Sequence, residues 1–425
     1  MAGLLRFKLS KTPEEVDSVL THLVRDADRR VPFYRDLFRE AGTDVARFNG
    51  ASKLTAFPPS TKEAFRKSPQ RGHLREGRDP LRCATTSTSG STGERLTIYF
   101  SRPELYFRRY SLLATYGHYM PLRLPLRVAD VGPLAGHTGR SIEQRLGLVN
   151  ILRIPGDAPI TEQREALSKY RPTILQGYPT CLERLAESLS EGEARRLRPL
   201  LIACRGELLR QDTRTLLERI LRARVVDLYN CEEVGNLAWE CPNHAGRFHV
   251  NLDTCVLEVL DDDGKPTERQ GDIVVTNLYN RTMPFLRYRL GDEATIRHAV
   301  SACSCGAVGP LLEDFVARQY DFVSTPGGQR VSPRVLTSVL FHALRSADDP
   351  HRIIPDVRRY QIVQEEDYSL RVVLDWKGPP DSDLWHRIAC DIEQACQGLR
   401  CTVEKTSALE LTPAGKFKAV LSRAP

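Results

Sequence analysis

Between Thr85 and Gly93 the chain reads Thr-Thr-Ser-Thr-Ser-Gly-Ser-Thr-Gly, just before the strand-like run Leu96-Thr-Ile-Tyr-Phe100. Small hydroxyls and glycines at this density let a loop wrap backbone N–H groups around phosphate oxygens, with the hydroxyls as added donors. Glycine permits φ > 0 and a close backbone approach. No Gly-Lys-Ser/Thr follows, so this is not a Walker loop, and positive charge has to come from elsewhere. A Ser/Thr/Gly run by itself describes a flexible linker equally well. The company it keeps decides between the two.

Four further segments carry candidate chemistry. Gln176-Gly-Tyr-Pro179 and Arg205-Gly206-Glu207 each end an apolar, strand-like run, where ligands of α/β folds gather; ordinary turns use the same residues. In Asp227-Leu-Tyr229-Asn-Cys-Glu232-Glu233-Val-Gly235 an aromatic and a carboxylate stand four apart. That pairing suits stacking on a base and holding Mg²⁺, whereas a Glu-Glu pair alone also suits a helix start. Met283-Pro-Phe-Leu-Arg287-Tyr288-Arg289-Leu-Gly291-Asp292 places a short carboxylate on a Gly turn after two arginines, and Asp292 would accept hydrogen bonds from ribose hydroxyls. Finally, Pro413-Ala-Gly415-Lys416-Phe-Lys418 offers a lysine to a carboxylate and phosphate as they react.

A metal site is the other possibility. Cys303-x-Cys305 supplies two thiolates from one turn, and Cys241 with His249 would complete a tetrahedral Zn²⁺ set. His244 competes with His249. Four protein ligands would leave no open position, so the role would be structural. The remaining cysteines read as scattered thiols.

These groups need elements to hold them. Residues 13–43 have helical spacing, interrupted at Pro32. Ile174–Gly177, Leu200–Cys204 and Val225–Tyr229 suit buried parallel strands, and Arg210–Arg224 an amphipathic helix, so the region up to about residue 230 predicts an α/β domain with covered sheets. After residue 249 strands follow turns: Thr254–Leu260, the turn Asp261–Gly264, then Gly271–Thr276. Beyond a boundary near residues 317–322, Arg358–Val363, Leu370–Trp376 and Thr402–Leu411 read as strands and Asp381–Gly398 as a helix, a small α+β unit.

Composition narrows the function. The 425 residues include 41% apolar ones, enough for two or three domains. The net charge of +7 is interspersed, which suits anionic small molecules and argues against nucleic acid. No apolar run is long enough to span a membrane and the N-terminus lacks a signal-peptide pattern. Eleven cysteines are then expected to be cytoplasmic thiols.

Taken in order, the small-residue loop, Tyr-x-x-x-Glu, Arg-Tyr-Arg-x-Gly-Asp, Arg318-x-x-Asp321 and Gly-Lys resemble the adenylate-forming enzymes (acyl-CoA synthetases and their relatives). The resemblance covers nearly the whole chain and is greatest to the phenylacetate–CoA ligase-like branch, which includes capsule-biosynthesis adenylation proteins. Val31-Pro-Phe-Tyr34, Tyr170–Gly177, Glu240-Cys241, His249-Val-Asn251 and Cys303–Gly306 add to it.

The resemblance implies an N-terminal adenylation domain over 1–317 with a β-rich subdomain, and a small mobile α+β lid over 318–425. It implies two half-reactions: a carboxylic acid, of aryl or related type, attacks the α-phosphate of ATP, and a nucleophile, often the CoA thiol, then displaces AMP. Ser89, Gly90, Ser91, Thr92 and Gly93 would hold the β/γ-phosphates, with Gly206 and Glu207 among the nucleotide contacts. Tyr229 would lie by the adenine, Glu233 would carry Mg²⁺, and Asp292 would hold the ribose with Arg318 nearby. Lys416 would act in adenylation. The cysteine/histidine cluster is also a feature of related ligases. Glu232 stands where Thr is usual, Asn230 where Gly is frequent, Ala317 before Arg318 where Gly is usual, Tyr320 where an acidic hinge residue is common, and Glu94-Arg95 in place of Pro. These departures leave the acceptor open: an adenylyltransferase or amide-forming ligase is the second reading. A non-catalytic scaffold is the third, which the retained Glu233, Asp292 and Lys416 oppose. A homodimer is the default assembly.

Overall fold

Ile174-Leu-Gln-Gly177 is apolar without alternation, and in the computed structural model it is a strand buried along its whole length. Such a strand must be covered on both faces, and the architecture around it follows from that requirement. The structure describes residues 11–87, 96–132, 142–298, 302–316, 322–331, 333–344, 357–406, 409–410 and 419–424. They form two compact units. The first holds the described residues up to Gly206 and again Leu217–Phe315; the second holds Glu207–Leu216 and the chain from Val316 onward.

Strands of the first unit are, in chain order, β1 (Ala84–Ser87), β2 (Thr97–Phe100), β3 (Leu126–Gly132), β4 (Val149–Pro155), β5 (Ile174–Gly177) and β6 (Leu201–Arg205). They continue as β7 (Arg224–Cys231), β8 (Gly235–Cys241), β9 (His244–Val250), β10 (Cys255–Leu260), β11 (Gly271–Asn277), β12 (Tyr288–Arg297) and β13 (Leu311–Val316). β1 and β2 pair antiparallel. The other eleven make one sheet in the order β10-β11-β12-β13-β9-β8-β7-β6-β5-β3-β4. Its β4-β3-β5-β6-β7 half is parallel, and the β7–β8, β8–β9, β9–β13, β12–β11 and β11–β10 pairings are antiparallel. The strand–helix alternation before residue 230 thus becomes the parallel half, and the turn-linked strands after 249 the antiparallel half.

Three boundaries differ from the expectation. The helix expected over 210–224 is Gln211–Leu221, because Arg222 turns left-handed at φ 50°, a helix-ending conformation, and Arg224 already opens β7. The strand expected over Val225–Tyr229 is β7, Arg224–Cys231, so Tyr229 lies inside the strand and is not its last residue. The strand expected over 402–411 is Cys401–Thr406.

The Pro32-Phe-Tyr34 segment starts the helix Pro32–Glu40 and buries Tyr34 completely. Its Oη donates to Pro284 O (3.1 Å) and accepts from Leu286 N–H (2.8 Å), fixing the segment that leads into β12. His73 packs beside Phe33 and Phe65 with ring centroids 5.2 and 4.7 Å away. In the second unit β14 (Val323–Ser324) pairs with β15 (Arg330–Val331), while β16 (Val357–Gln364), β17 (Leu370–Trp376), β18 (Cys401–Thr406) and β19 (Val420–Ser422) form a sheet ordered β18-β17-β16-β19. Asp381 caps the helix Ser382–Ala395 through Leu384 N–H at 3.0 Å. That helix presents Leu384, Ile388 and Ile392, at helical spacing, to the unit's core.

Burial lowers the His73 pKa to about 4. The neutral ring is favoured in the folded state, so its contribution is present above the unfolded value near 6.5 and is lost as pH falls toward 4. Thermal midpoints should therefore drop between pH 7 and pH 5, and His73→Phe should flatten that pH dependence; an unchanged slope would show that His73 takes up no proton on unfolding.

Candidate functional site

Two strands supply matching sequences. β7 and its following turn give Tyr229 and Glu233, four residues apart; β12 gives Tyr288 and Asp292, also four apart. The phenols and carboxylates cross over. Tyr229 Oη donates to Asp292 Oδ2 at 2.7 Å, and Tyr288 Oη donates to Glu233 Oε1 at 3.2 Å. Tyr229, Glu233 and Asp292 are 9%, 8% and 8% exposed, so both carboxylates are held mostly out of water. Burial, then the Glu233 carboxylate, pushes the Tyr288 phenol up, keeping it a donor. The Tyr229 ring lies against Phe315 with centroids 4.4 Å apart.

The two arginines before Asp292 serve the fold. Arg287, at φ 45°, grips Glu258 with Nε and Nη2, both at 3.0 Å, and bonds Phe57 O; Arg289 pairs with Asp272. A ligand-facing reading of this run therefore narrows to Asp292. Asp292 follows Gly291, whose φ of 78° marks an irregularity inside β12 instead of a free turn.

Glu232, the neighbour of Glu233, accepts from Thr86 Oγ1 at 2.8 Å and from Arg108 Nη2 at 3.1 Å. Arg108, from the helix Arg102–Tyr116, also donates to Glu232 O at 2.7 Å and Cys231 O at 3.4 Å. One guanidinium thus pins both backbone and side chain of the turn that carries Glu233. Thr86 lies in β1, within the hydroxyl run that leads into Ser89–Gly93. No motif marks Arg108 in the sequence; it sits on a plain helix. Thr86 had a signal, as part of the hydroxyl run, and so did Glu232, as a departure from family pattern.

At the ends of β5 and β6, Arg205 donates to both Asp130 oxygens at 2.7 Å. Gly206 has φ 78°, and a Cβ there would stand 2.7 Å from the Tyr178 ring, so only glycine fits beside that tyrosine. Glu207 follows, half-buried. Ser89, Gly90, Ser91, Thr92, Gly93, Arg318 and Lys416 lie outside the described residues.

Comparisons with known proteins show what this frame is similar to. No protein-family profile matches the chain. It is 26% identical over 380 residues to the phenylacetate-coenzyme A ligase of Thermus thermophilus, covering 87% of this chain and 82% of that protein. It is 28% identical over 133 residues to the protein CapK of Staphylococcus aureus, 31% of this chain and 28% of the relative. A crystal structure of 2-hydroxyisobutyryl-CoA ligase in the postadenylation state superposes with a TM-score of 0.78 at 16% identity, over 96% of this chain and 89% of that one. Over most of its length the chain is thus similar in sequence to one CoA ligase and shares the fold of another.

Among the sequence-predicted sites, the cysteine cluster is the best defined. Cys241 ends β8, His249 lies in β9, and Cys303 and Cys305 sit in the loop before β13. Their ligand atoms all fall within 4.8 Å of one another, with Cys241 Sγ–Cys303 Sγ at 3.6 Å and Cys305 Sγ–His249 Nε2 at 3.2 Å. Ligands 2.3 Å from a tetrahedral zinc would stand about 3.7 Å apart, so the donor set fits. Gly306, at φ 86°, donates to Cys303 O at 2.8 Å and closes the turn that brings both thiols inward. His244 faces Ser304 Oγ at 3.1 Å, outside the cluster. Burial and then His244 lower the His249 pKa to about 4, leaving its ring neutral and able to ligate. Burial, and after it the neighbouring thiols, pushes Cys241 up to about 11, whereas the backbone N–H of Cys305 draws Cys303 down.

Arg108→Ala would leave Glu232 with only the Thr86 hydroxyl and remove a donor from the Cys231 and Glu232 carbonyls. A cost of about 2–3 kcal/mol is expected for losing a part-buried charged partner, read as a lower thermal midpoint, with Arg108→Lys recovering only part. A midpoint unchanged by Arg108→Ala would contradict the bracing role.

Proposed function

We propose that this chain activates a carboxylic acid with ATP and then hands the acyl group to the CoA thiol. In the first step the carboxylate oxygen bonds to the α-phosphorus and pyrophosphate leaves; in the second the thiol sulfur bonds to the acyl carbon, AMP leaves, and the thiol proton passes to solvent. The crossed phenol–carboxylate pairs carry the reading. They hold two buried carboxylates at fixed positions in a chain similar over most of its length to a phenylacetate–CoA ligase.

In this reading Asp292 accepts the ribose hydroxyls and Tyr229 orients it while flanking the base. Glu233 is the residue that would hold Mg²⁺, a hard cation that takes carboxylate oxygens and, when bound, offsets phosphate charge. The small-residue loop Ser89–Gly93, with Gly206 and Glu207, receives the phosphates and nucleotide; Arg318 and Lys416 serve the ribose and the adenylation step. Preorganised donors and excluded water would do the rest. Cys241, His249, Cys303 and Cys305 hold a structural zinc that ties β8, β9 and the loop before β13. The eleven cysteines have no disulfide among them, and we place the enzyme in the cytoplasm, where thiols persist. Among the described residues no helix is long and apolar enough to cross a membrane.

Steady-state release of pyrophosphate, scanned over aromatic and aliphatic acids with and without CoA, tests the reaction. AMP release that rises with CoA supports a thioester product; acid-dependent release indifferent to CoA would point to a hydroxyl or amine acceptor. Asp292→Ala should lower kcat/KM for ATP about 100-fold, near 3 kcal/mol. Tyr229→Phe should act mainly through KM, and Glu233→Gln mainly through kcat with a raised Mg²⁺ requirement. Equal loss of kcat and KM effects in all three would contradict these separate roles. Metal analysis of the purified protein should find about one zinc per chain, abolished by Cys303→Ser together with several degrees of thermal stability; a metal-free, equally stable wild type would overturn the zinc assignment.

A further inference from the structure

The opposite ends of the same parallel strands have a different character. The chain enters β3, β4, β5, β6 and β7 through residues 121–127, 145–149, 169–174, 195–201 and 219–225, which contain eleven Arg and Lys and no Asp or Glu. Backbone hydrogen bonds set most of these entries side by side. Leu126 N–H donates to Leu148 O (2.9 Å), Thr173 N–H to Arg127 O (2.8 Å) and Leu200 N–H to Thr173 O (2.9 Å). Leu201 lies opposite Arg224. With neighbouring strands about 4.8 Å apart, the five entries line an edge roughly 20 Å long.

Arg123, Arg145, Arg171, Arg198 and Arg222 are all exposed there, and among the described residues none of these guanidiniums has a hydrogen bond or ion pair. Lys169 and Arg195 are paired, with Glu165 and Glu191. Leu146, Leu148 and Leu200 stand among the free arginines at 67%, 39% and 65% exposure. A cavity of about 560 Å³ opens beside this edge, with Glu187, Leu189, Glu191, Arg198, Arg219 and Arg222 in its wall.

Helix C-termini attract cations, which accounts for Arg171, Arg198 and Arg222 one at a time. It does not account for the exposed leucines between them or for Arg123. Arg171 and Arg222 moreover hold left-handed backbone, φ 49° and 50°, where glycine or asparagine would sit with less strain.

We propose that this edge lies on an anionic bilayer surface, with the guanidiniums on lipid phosphates and Leu146, Leu148 and Leu200 in the headgroup–acyl boundary. Leu146 and Leu148 share one turn, and Leu200 stands on another. A protein partner would call for a contiguous apolar centre ringed by polar groups, whereas a bilayer accepts isolated insertions. Single-stranded nucleic acid would call for aromatic platforms, and these entries expose none. Docking this way leaves the other strand ends, with Tyr178, Gly206 and Glu233, facing away from the lipid. The proposal is independent of the reaction proposed above.

Vesicle flotation of the full chain tests it, using phosphatidylcholine vesicles with and without roughly one-third phosphatidylglycerol. Binding should require the anionic lipid and weaken between about 0.1 and 0.5 M salt. The triple variant Arg171→Ala/Arg198→Ala/Arg222→Ala should lower partitioning about 100-fold, from roughly fivefold per cation. Leu146→Ser/Leu200→Ser should lower it several-fold at unchanged charge. Thermal melting of each variant separates lost binding from lost fold. Wild-type protein that stays unbound on anionic vesicles at low salt would overturn the proposal. So would arginine variants that bind like the wild type, leucine variants without effect, or capture by soluble heparin but not by vesicles.

Discussion

Everything at the candidate site depends on the sheet curling far enough for β7 to meet β12. In sheet order three strands separate them, so a flat sheet would hold them about 19 Å apart, beyond the reach of a tyrosine. Yet Tyr229 of β7 reaches Asp292 of β12 at 2.7 Å, and Tyr288 of β12 reaches Glu233 at 3.2 Å. The antiparallel half must therefore close over its own inner face. Val234, Leu237, Phe248, Leu257, Val275, Ala294 and Leu312 fill the space between as one apolar core. Two buried carboxylates inside such a fold would be costly alone; a phenol on each, from the opposite strand, makes the closure and the charges satisfy one another.

Other contacts brace that closure from outside. Arg108 and Thr86 hold the turn carrying Glu233, Tyr34 and Arg287 fix the approach to β12, and the cysteine cluster joins β8, β9 and the loop before β13 at the far end. The sheet is thereby polarised. Carboxylates, glycines and tyrosines collect where the parallel strands leave, and arginines with exposed leucines collect where they enter. One end suits a nucleotide and its metal, the other an anionic surface.

Much of this was legible in the sequence, for physical reasons that can be named. Ile174–Gly177 could be read as a doubly covered strand because burial on both faces removes alternation. The i, i+4 pattern of Tyr229 and Glu233 and the Gly291-Asp292 pair were visible because residue type and short spacing are local properties of the sequence. What escaped was whatever depends on distance between remote segments. Nothing in the spacing of Arg287 and Arg289 distinguishes a ligand-facing cation from a partner for Glu258 or Asp272. Arg108 carries no local pattern at all. The choice between His244 and His249 turned on where the Cys303–Cys305 turn lies: β8–β9 register sets His244 opposite Cys241, yet Cys305 Sγ meets His249 Nε2 at 3.2 Å, a relation that spacing does not contain. Helix ends moved for the same reason: the left-handed turn at Arg222 is a property of packing, since arginine has no preference for it.

The central claim is that the crossed carboxylates serve acid activation by ATP. Exchange of labelled pyrophosphate into ATP reads the first half-reaction alone and needs no acceptor. With the cognate acid present, the wild type should exchange label and Asp292→Ala should fall to near background while remaining folded. Exchange that proceeds without any acid, or that survives loss of Asp292 at the wild-type rate, would contradict the claim.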